Sequence, residues 1–187
     1  MEITLEKARE LLEKYLQDPN NRTHSRESEV VLRAIAKRLG QDEDVWGLAG
    51  LLHDLDWEET EAAPEKHGVR TMEILEEEGF ELPEGVAHAI TAHNEDYTGV
   101  KRESDLDFAL AAGESITGLI YAYALMRPEN LNGMKAKSLR KKYKDKKFAA
   151  KVSRELIADI EKIGIERGEF FGIAIEAMQE ISDEIGL

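Results

Sequence analysis

The sequence contains no cysteine, which excludes several kinds of chemistry at once. Disulfide bonds, thiolate zinc sites, iron–sulfur clusters and cysteine nucleophiles all need the missing thiol. The first residues also lack the basic start and apolar run of a signal peptide, so we expect a reducing, cytoplasmic location. A glycine-rich phosphate loop is missing too, so phosphate recognition would depend on metal ions and basic side chains.

Positive charge is scarce. The chain has 25 Lys and Arg against 39 Asp and Glu, which gives a formal net charge of −14. Such a surface repels phosphate groups, which argues against general binding to nucleic acids or anionic membranes. Long uncharged runs are equally rare, and residues 108–126 carry a single charged side chain, Glu114. The serine, threonine and glycine residues of that run favour a buried core helix over a membrane span.

Strand patterns are absent, because no segment sustains a period-2 alternation of β-branched and aromatic residues. Apolar residues instead follow the 3.6-residue helical period, for example Leu5, Ala8 and Leu12. The sequence therefore predicts an all-α fold of five or six core helices. No repeat or flexible linker divides the chain, so we expect one domain over residues 1–187. Its core would span about residues 20–126, followed by a C-terminal helical extension at 127–187.

Local signals predict where several helices begin. Asp18-Pro19 indicates a break before a second helix from about Ser25 to Leu39. Pro64 is expected in the first turn of a fourth helix that ends near residue 79. Ser104 or Asp105 is expected to cap the helix that carries Glu114.

The five histidines all lie in the first half of the chain. Imidazoles and carboxylates are the usual nitrogen and oxygen ligands of divalent metals. The most informative pair is His53-Asp54, which ends the uncharged helical run 45–52. A carboxylate near the interior needs a cation or several donors. A solvent-exposed helix end is the alternative, because Asp56 and further acids follow.

The other histidines differ in their expected placement. His24 and His67 each open a predicted helix, where a side chain can turn toward a shared cavity or simply face solvent. His88 and His93 lie about 140° apart around a helix and cannot both bind one ion. His93 shares the apolar face of its helix, so we prefer His93 as a ligand and leave His88 at the rim of the site.

Glu114 is the sole charged residue of its apolar helix. A carboxylate in such a place is expected to be protonated, paired with an arginine or bound to a metal. The presence of the histidines and Asp54 favours the metal.

These residues occur in an order that resembles the HD superfamily of metal-dependent phosphohydrolases. The resemblance runs from about residue 24 to residue 124. Three segments carry most of it, and they are Leu51-Leu52-His53-Asp54-Leu55-Asp56, Glu65-Lys66-His67-Gly68 and Ala89-Ile90-Thr91-Ala92-His93-Asn94.

The resemblance implies an HD-domain-like helical bundle that holds one or two divalent ions, with Mn, Fe, Co, Ni, Zn and Mg all left open. Asp54 would bridge the two ions and take part in catalysis. The first ion would be held by His24, His53, Asp54 and Glu114, and the second by Asp54, His67 and His93. The implied activity is hydrolysis of a phosphoester, in a nucleotide or related small phosphate, by metal-activated water. A di-iron oxygenase of the same fold and an inactive metal- or ligand-binding module are the alternatives.

One position departs from the family pattern. The late ligand of the family is normally an aspartate, whereas Gly113-Glu114-Ser115-Ile116-Thr117-Gly118 places a longer glutamate there. A general acid is not singled out by the sequence. We expect His88 in a catalytic role, and Lys66 and Glu58 are also close to ligands along the chain.

A basic segment at residues 135–154 holds ten Lys and Arg residues and one acid, Asp145. Such a local reversal of charge can attract an anionic substrate, although a solvated basic helix is the simpler interpretation. Lys137, Arg140 and Lys141 are the candidate contacts for a substrate phosphate. The sequence leaves homodimer formation open.

Overall fold

Helices account for all the regular structure, which confirms the all-α prediction. The computed structural model describes residues 1–187, and its one extended pairing is an isolated bridge between Glu2 and Glu81. The longer helices are α1 (Leu5–Tyr15), α2 (Pro19–Leu39), α3 (Glu43–Leu52), α5 (Val69–Glu77), α6 (Val86–His93), α8 (Asp105–Ala124), α9 (Ala136–Lys144) and α11 (Arg167–Glu180). The short α-helices are α4 (Trp57–Thr60), α7 (Glu95–Thr98), α10 (Arg154–Ala158) and α12 (Ser182–Ile185), and two 3-10 turns cover Pro64–Lys66 and Asp159–Ile163.

Helix α8 lies at the centre of the fold. It packs against α2, α6, α10 and α11, and most of its residues are buried. The Ser104 side chain accepts a hydrogen bond from the Asp107 backbone N–H, and the Asp107 carboxylate accepts one from the Ser104 N–H, which fixes where α8 begins. No helix combines the length and apolarity that crossing a bilayer requires.

Helix α2 begins earlier than the sequence suggested. Asp18 caps it by accepting a hydrogen bond from the Asn20 N–H, and Pro19 occupies the first helical position. Proline fits there because the first amide of a helix has no intrahelical partner. The prediction that the helix starts at about Ser25, and that His24 opens it, was therefore wrong. His24 lies inside the helix.

The predicted fourth helix is interrupted. Pro64 starts only a 3-10 turn, and Gly68 breaks the chain with a positive φ of 84° before α5 begins at Val69. A Cβ atom on Gly68 would lie 2.8 Å from the Ile90 carbonyl oxygen of α6. Glycine is therefore required twice, for its backbone conformation and for this close approach. His67 ends the 3-10 turn instead of opening a helix.

Helices α2 and α3 approach each other closely at Gly50. A Cβ atom there would lie 2.6 Å from the backbone oxygen of Ser28, a distance that no real side chain tolerates. Because His53 and Asp54 follow directly after α3, this contact sets their distance from His24 on α2.

The buried core is continuous along the chain. Its 42-residue apolar cluster extends from Ile3 to Ile185 and includes Phe170, Phe171 and Met178 of α11. The C-terminal helices therefore pack on the same core as the helices that carry the histidines.

Candidate metal centre

Five side chains meet around the carboxylate of Asp54, which makes a cluster of six. The oxygen Asp54 Oδ1 lies 3.4 Å from His53 Nε2, 3.1 Å from His67 Nε2 and 3.7 Å from His93 Nε2. Its second oxygen lies 3.7 Å from His24 Nε2, which in turn is 3.9 Å from Glu114 Oε2. The six residues singled out in the sequence as ligands are thus neighbours in space.

The cluster divides into two groups that each have the size of a metal site. One consists of His24, His53 and Glu114, and the other of Asp54, His67 and His93. Within each group the candidate ligand atoms all lie within 4.8 Å of one another. Asp54 touches histidines of both groups, which places its carboxylate between them.

Backbone carbonyls fix the orientation of two rings. His53 donates from Nδ1 to the Gly50 carbonyl at 2.8 Å, and His93 donates from Nδ1 to the Ile90 carbonyl. A carbonyl oxygen can only accept, so the proton of each neutral ring must be on Nδ1. The lone pair of Nε2 then faces the cluster, as metal ligation requires.

Side chains orient the other two rings in the same sense. His67 donates from Nδ1 to Asp56 Oδ1 at 2.8 Å. His24 Nδ1 lies 3.1 Å from Thr117 Oγ1, and the Thr117 hydroxyl donates its own proton to the Glu114 carbonyl at 2.7 Å. The Thr117 oxygen is therefore the acceptor for His24. All four histidines present Nε2 to the cluster.

This orientation brings lone pairs face to face. His24 Nε2 and His53 Nε2 are 3.2 Å apart, and His67 Nε2 and His93 Nε2 are 3.0 Å apart. Two such nitrogens approach this closely when either a proton on one of them, as on His67, or a bound metal cation joins the pair. The donor set therefore fits a divalent ion of the class that binds imidazole and carboxylate.

The local charges also suit a cation. Burial would raise the pKa of Asp54, but the surrounding histidines hold it well below its usual range, so Asp54 is ionised. Burial lowers the pKa of His53 to about 3, which keeps that ring neutral. Burial would also lower the pKa of His67, but hydrogen bonds to Asp54 and Asp56 outweigh it and raise the pKa to about 9. A metal at His67 would displace that proton.

Glu114 reaches the cluster despite its longer side chain. Its Oε1 accepts a hydrogen bond from the Ser115 hydroxyl at 2.6 Å, and Oε2 is directed toward His24. Burial raises the pKa of Glu114, which is the expected response of a carboxyl group that lacks a full positive partner.

Several other residues proposed from the sequence lie apart from the cluster. His88 is 44% exposed and its Nδ1 is 3.0 Å from Asp107 Oδ2, so the geometry gives no support to a catalytic role for His88. Glu58 accepts hydrogen bonds from the backbone amides of Gln17 and Asp18 just before α2. Lys66 is exposed on the 3-10 turn.

The basic segment gives no contact to the cluster. The three residues suggested for substrate phosphate, Lys137, Arg140 and Lys141, are exposed on α9. Arg140 borders a separate small cavity with Tyr143 and Arg167.

Sequence reasoning missed the role of Asp56. Asp56 is fully buried and accepts hydrogen bonds from His67 and from the backbone amides of Gly68 and Thr71. It had been grouped with the solvent-exposed acids of the alternative interpretation. Its position between Leu55 and Trp57 was the available signal, because an acid flanked by large apolar residues is unusual on a surface. Thr117 was missed because nothing in the sequence indicates its contact with His24.

Comparison with known families agrees with this geometry. The family model described as HD domain matches residues 21–125, more than half of the chain. The chain belongs to the HD domain family. All six clustered side chains lie within the matched residues of this HD domain. Proteins of the family are generally metal-dependent hydrolases. No curated protein and no solved structure gave a significant match.

A further carboxyl group, Glu27, is buried close to this HD-domain site. Its Oε1 has no hydrogen-bond partner, and burial raises its pKa to about 8. Folding therefore favours the protonated form, and the free energy of unfolding falls as pH rises from the unfolded pKa near 4.5 toward about 8.

Glu27→Gln should remove this pH dependence. Each unit of pKa shift corresponds to about 1.4 kcal/mol, so between pH 5 and pH 8 the wild type should lose about 3–4 kcal/mol of unfolding free energy relative to the variant. Urea unfolding at both pH values measures the difference. The matched control is Glu61→Gln at an exposed position, which should follow the wild type. If the free energy of unfolding changes by the same amount between pH 5 and pH 8 in Glu27→Gln and in the wild type, the raised pKa of Glu27 is contradicted.

Proposed function

We propose that this protein hydrolyses a phosphoester bond in a nucleotide or related small phosphate, with one or two divalent ions at the cluster. The convergence of the Nε2 atoms carries the proposal, because four imidazoles oriented toward two carboxylates form a ligand set for divalent ions. His24, His53 and Glu114 would hold one ion, His67 and His93 the other, and Asp54 would contact both.

The chemistry expected of such an ion is general. A bound divalent ion lowers the pKa of a water molecule and polarises a phosphoryl oxygen. The chain's own residues supply orientation: Gly50, Ile90 and Asp56 hold three imidazoles in the ligating tautomer, and Thr117 holds the fourth. Asp54 keeps its negative charge at neutral pH, so it stays available as an oxygen ligand.

A metal-supplemented screen tests the proposal. Purified protein should contain at least one ion per chain by elemental analysis, and it should release phosphate from nucleotides or generic phosphate esters when Mn, Fe, Co, Ni, Zn or Mg is supplied. Chelator treatment should remove both the metal and the activity. His53→Ala should lose metal because it deletes a buried member of the proposed ligand set.

The matched control is His88→Ala, which removes a histidine outside the cluster and should keep the full metal content. Metal content that is unchanged in His53→Ala would contradict the ligand assignment. Oxygen consumption by the iron-loaded protein, without phosphate release, would favour the oxygenase. Bound metal with neither activity would favour the inactive module.

A further inference from the structure

Residues 135–154 carry positive charge that the rest of the chain does not pair. The segment holds ten Lys and Arg and one acid, a formal charge of +9 in a chain whose total is −14. Outside the segment, twelve of the other fifteen basic side chains lie within 4.0 Å of a carboxylate oxygen. Within it none does, although the chain has 39 acids. The folded protein therefore leaves this charge open to an external anion.

Helix α9 gathers part of this charge on one side. Residues three, four and seven apart share a face of a helix, and Lys137, Arg140, Lys141 and Lys144 have this spacing. All four are exposed, whereas Leu139 on the opposite side is buried in the core. The helix therefore turns a basic face to solvent.

The loop that follows α9 is held by Arg154. Its guanidinium group donates hydrogen bonds to five backbone carbonyls within residues 143–152. Lys146, Lys147 and Lys151 are exposed on this loop. Because Arg154 binds the backbone on which they stand, the three lysines are presented from an ordered loop beside α9.

Two apolar side chains are exposed next to the basic residues. Leu125 and Met126, just after α8, are 63% and 62% exposed, and the chain exposes only three other large apolar residues. Met126 Sδ lies 3.9 Å from Lys142 Nζ of α9. The same nitrogen lies 5.3 Å from the centre of the Tyr123 ring and 4.8 Å from that of Phe148. Apolar and basic groups thus form one surface, here called the basic face, of Leu125, Met126 and the lysines and arginine of residues 135–151.

The composition of the basic face favours a lipid surface over other anionic partners. Eight of the ten basic residues of the segment are lysines. Protein interfaces are depleted of lysine, and bidentate recognition of nucleic acids uses arginine. Exposed aliphatic side chains do not stack on nucleobases, but they enter the boundary between headgroups and acyl chains while flanking lysines stay with the headgroups. A second copy related by a two-fold axis would bring two basic faces together, and these repel.

We propose that the basic face docks this protein on an anionic phospholipid surface, with Leu125 and Met126 entering the headgroup region. The inference does not depend on the proposed hydrolysis. The net charge of the whole chain argued against such binding, but that sum combines +9 in this segment with −23 elsewhere. Charges in water are screened beyond about 8 Å at physiological ionic strength, so acids farther than this from the lipid contribute little.

Cosedimentation with vesicles tests the inference. At about 0.15 M salt, vesicles of phosphatidylcholine with about 30% phosphatidylserine should bind the protein at least about tenfold more tightly than phosphatidylcholine alone. Lys146→Gln/Lys147→Gln should weaken this binding by about 20-fold, because each lysine near an anionic surface contributes about fivefold. Leu125→Ser/Met126→Ser should weaken it by about tenfold through lost apolar burial. The matched control is Lys7→Gln/Lys37→Gln, which changes the net charge equally at exposed positions of α1 and α2 and should bind like the wild type.

The other outcomes would overturn the proposal. Equal binding to both kinds of vesicle, or binding to neither, contradicts an anionic lipid surface. Unchanged binding of Leu125→Ser/Met126→Ser contradicts it too, because charge alone would then account for the attraction. Displacement of the protein from vesicles by an equal charge concentration of single-stranded RNA or polyglutamate would assign the basic face to that polyanion instead.

Discussion

Replacing Asp54 by asparagine is expected to lower kcat/KM for phosphoester hydrolysis by about 1000-fold or more and to deplete the bound metal. Asp54 is the one carboxylate in contact with histidines of both ligand groups. Asparagine keeps its shape but removes the negative charge that balances a divalent ion. A loss of about 4 kcal/mol in transition-state stabilisation corresponds to this factor, and it is within the range that metal ions contribute.

Steady-state kinetics and elemental analysis on the same preparations measure both effects. Asp96→Asn is the matched control, because Asp96 is exposed on the short helix α7. That variant should keep wild-type activity and metal content. An Asp54→Asn protein with full metal content and activity within tenfold of the wild type would show that Asp54 is not a ligand.

Asp56→Ala is expected to have the largest effect on stability. The carboxylate of Asp56 accepts hydrogen bonds from His67 Nδ1 and from the backbone amides of Gly68 and Thr71, all in a buried setting. Alanine would leave these three donors without acceptors. Removing one partner of a buried charged network costs about 3–5 kcal/mol, which for a chain of this length lowers Tm by about 10 °C.

Urea unfolding of the chelator-treated protein isolates this effect from metal binding. Asp96→Ala controls for the loss of a carboxylate at an exposed site and should change the free energy of unfolding by less than about 0.5 kcal/mol. Asp56→Asn should fall in between, because its amide retains one acceptor oxygen but directs an NH2 group at a donor. A stability of Asp56→Ala equal to that of the wild type would contradict the structural role of this residue.

The sequence predicted which side chains lie together better than it predicted the local structure around them. The helical period and the absence of strand patterns were sufficient for the all-α fold. Five of the clustered residues could be proposed because each is a polar residue beside an apolar run or fits the residue order of the HD superfamily. They are His24, His53, Asp54, His67 and Glu114. His93 could be separated from His88 by helical geometry alone, and the structure places His93 inside and His88 at the surface.

The two errors in helix bounds have different causes. Asp18-Pro19 was interpreted as a break, although a capping aspartate followed by a proline at the first helical position is a local signal for the start of a helix. The break at Gly68 depends on how closely the chain approaches Ile90 on another helix. Local sequence patterns carry no information about such tertiary contacts. For the same reason the unpartnered carboxyl group of Glu27 could be recognised only in three dimensions.

The close contact at Gly50 affects how mutagenesis of this protein should be interpreted. Any side chain at Gly50 would collide with the backbone of Ser28 and push α3 outward, carrying His53 and Asp54 away from His24. An alanine scan would therefore score Gly50 among the ligands, although it has no side chain to offer an ion. Loss of metal identifies a ligand only when the helix spacing of the variant is known to be unchanged.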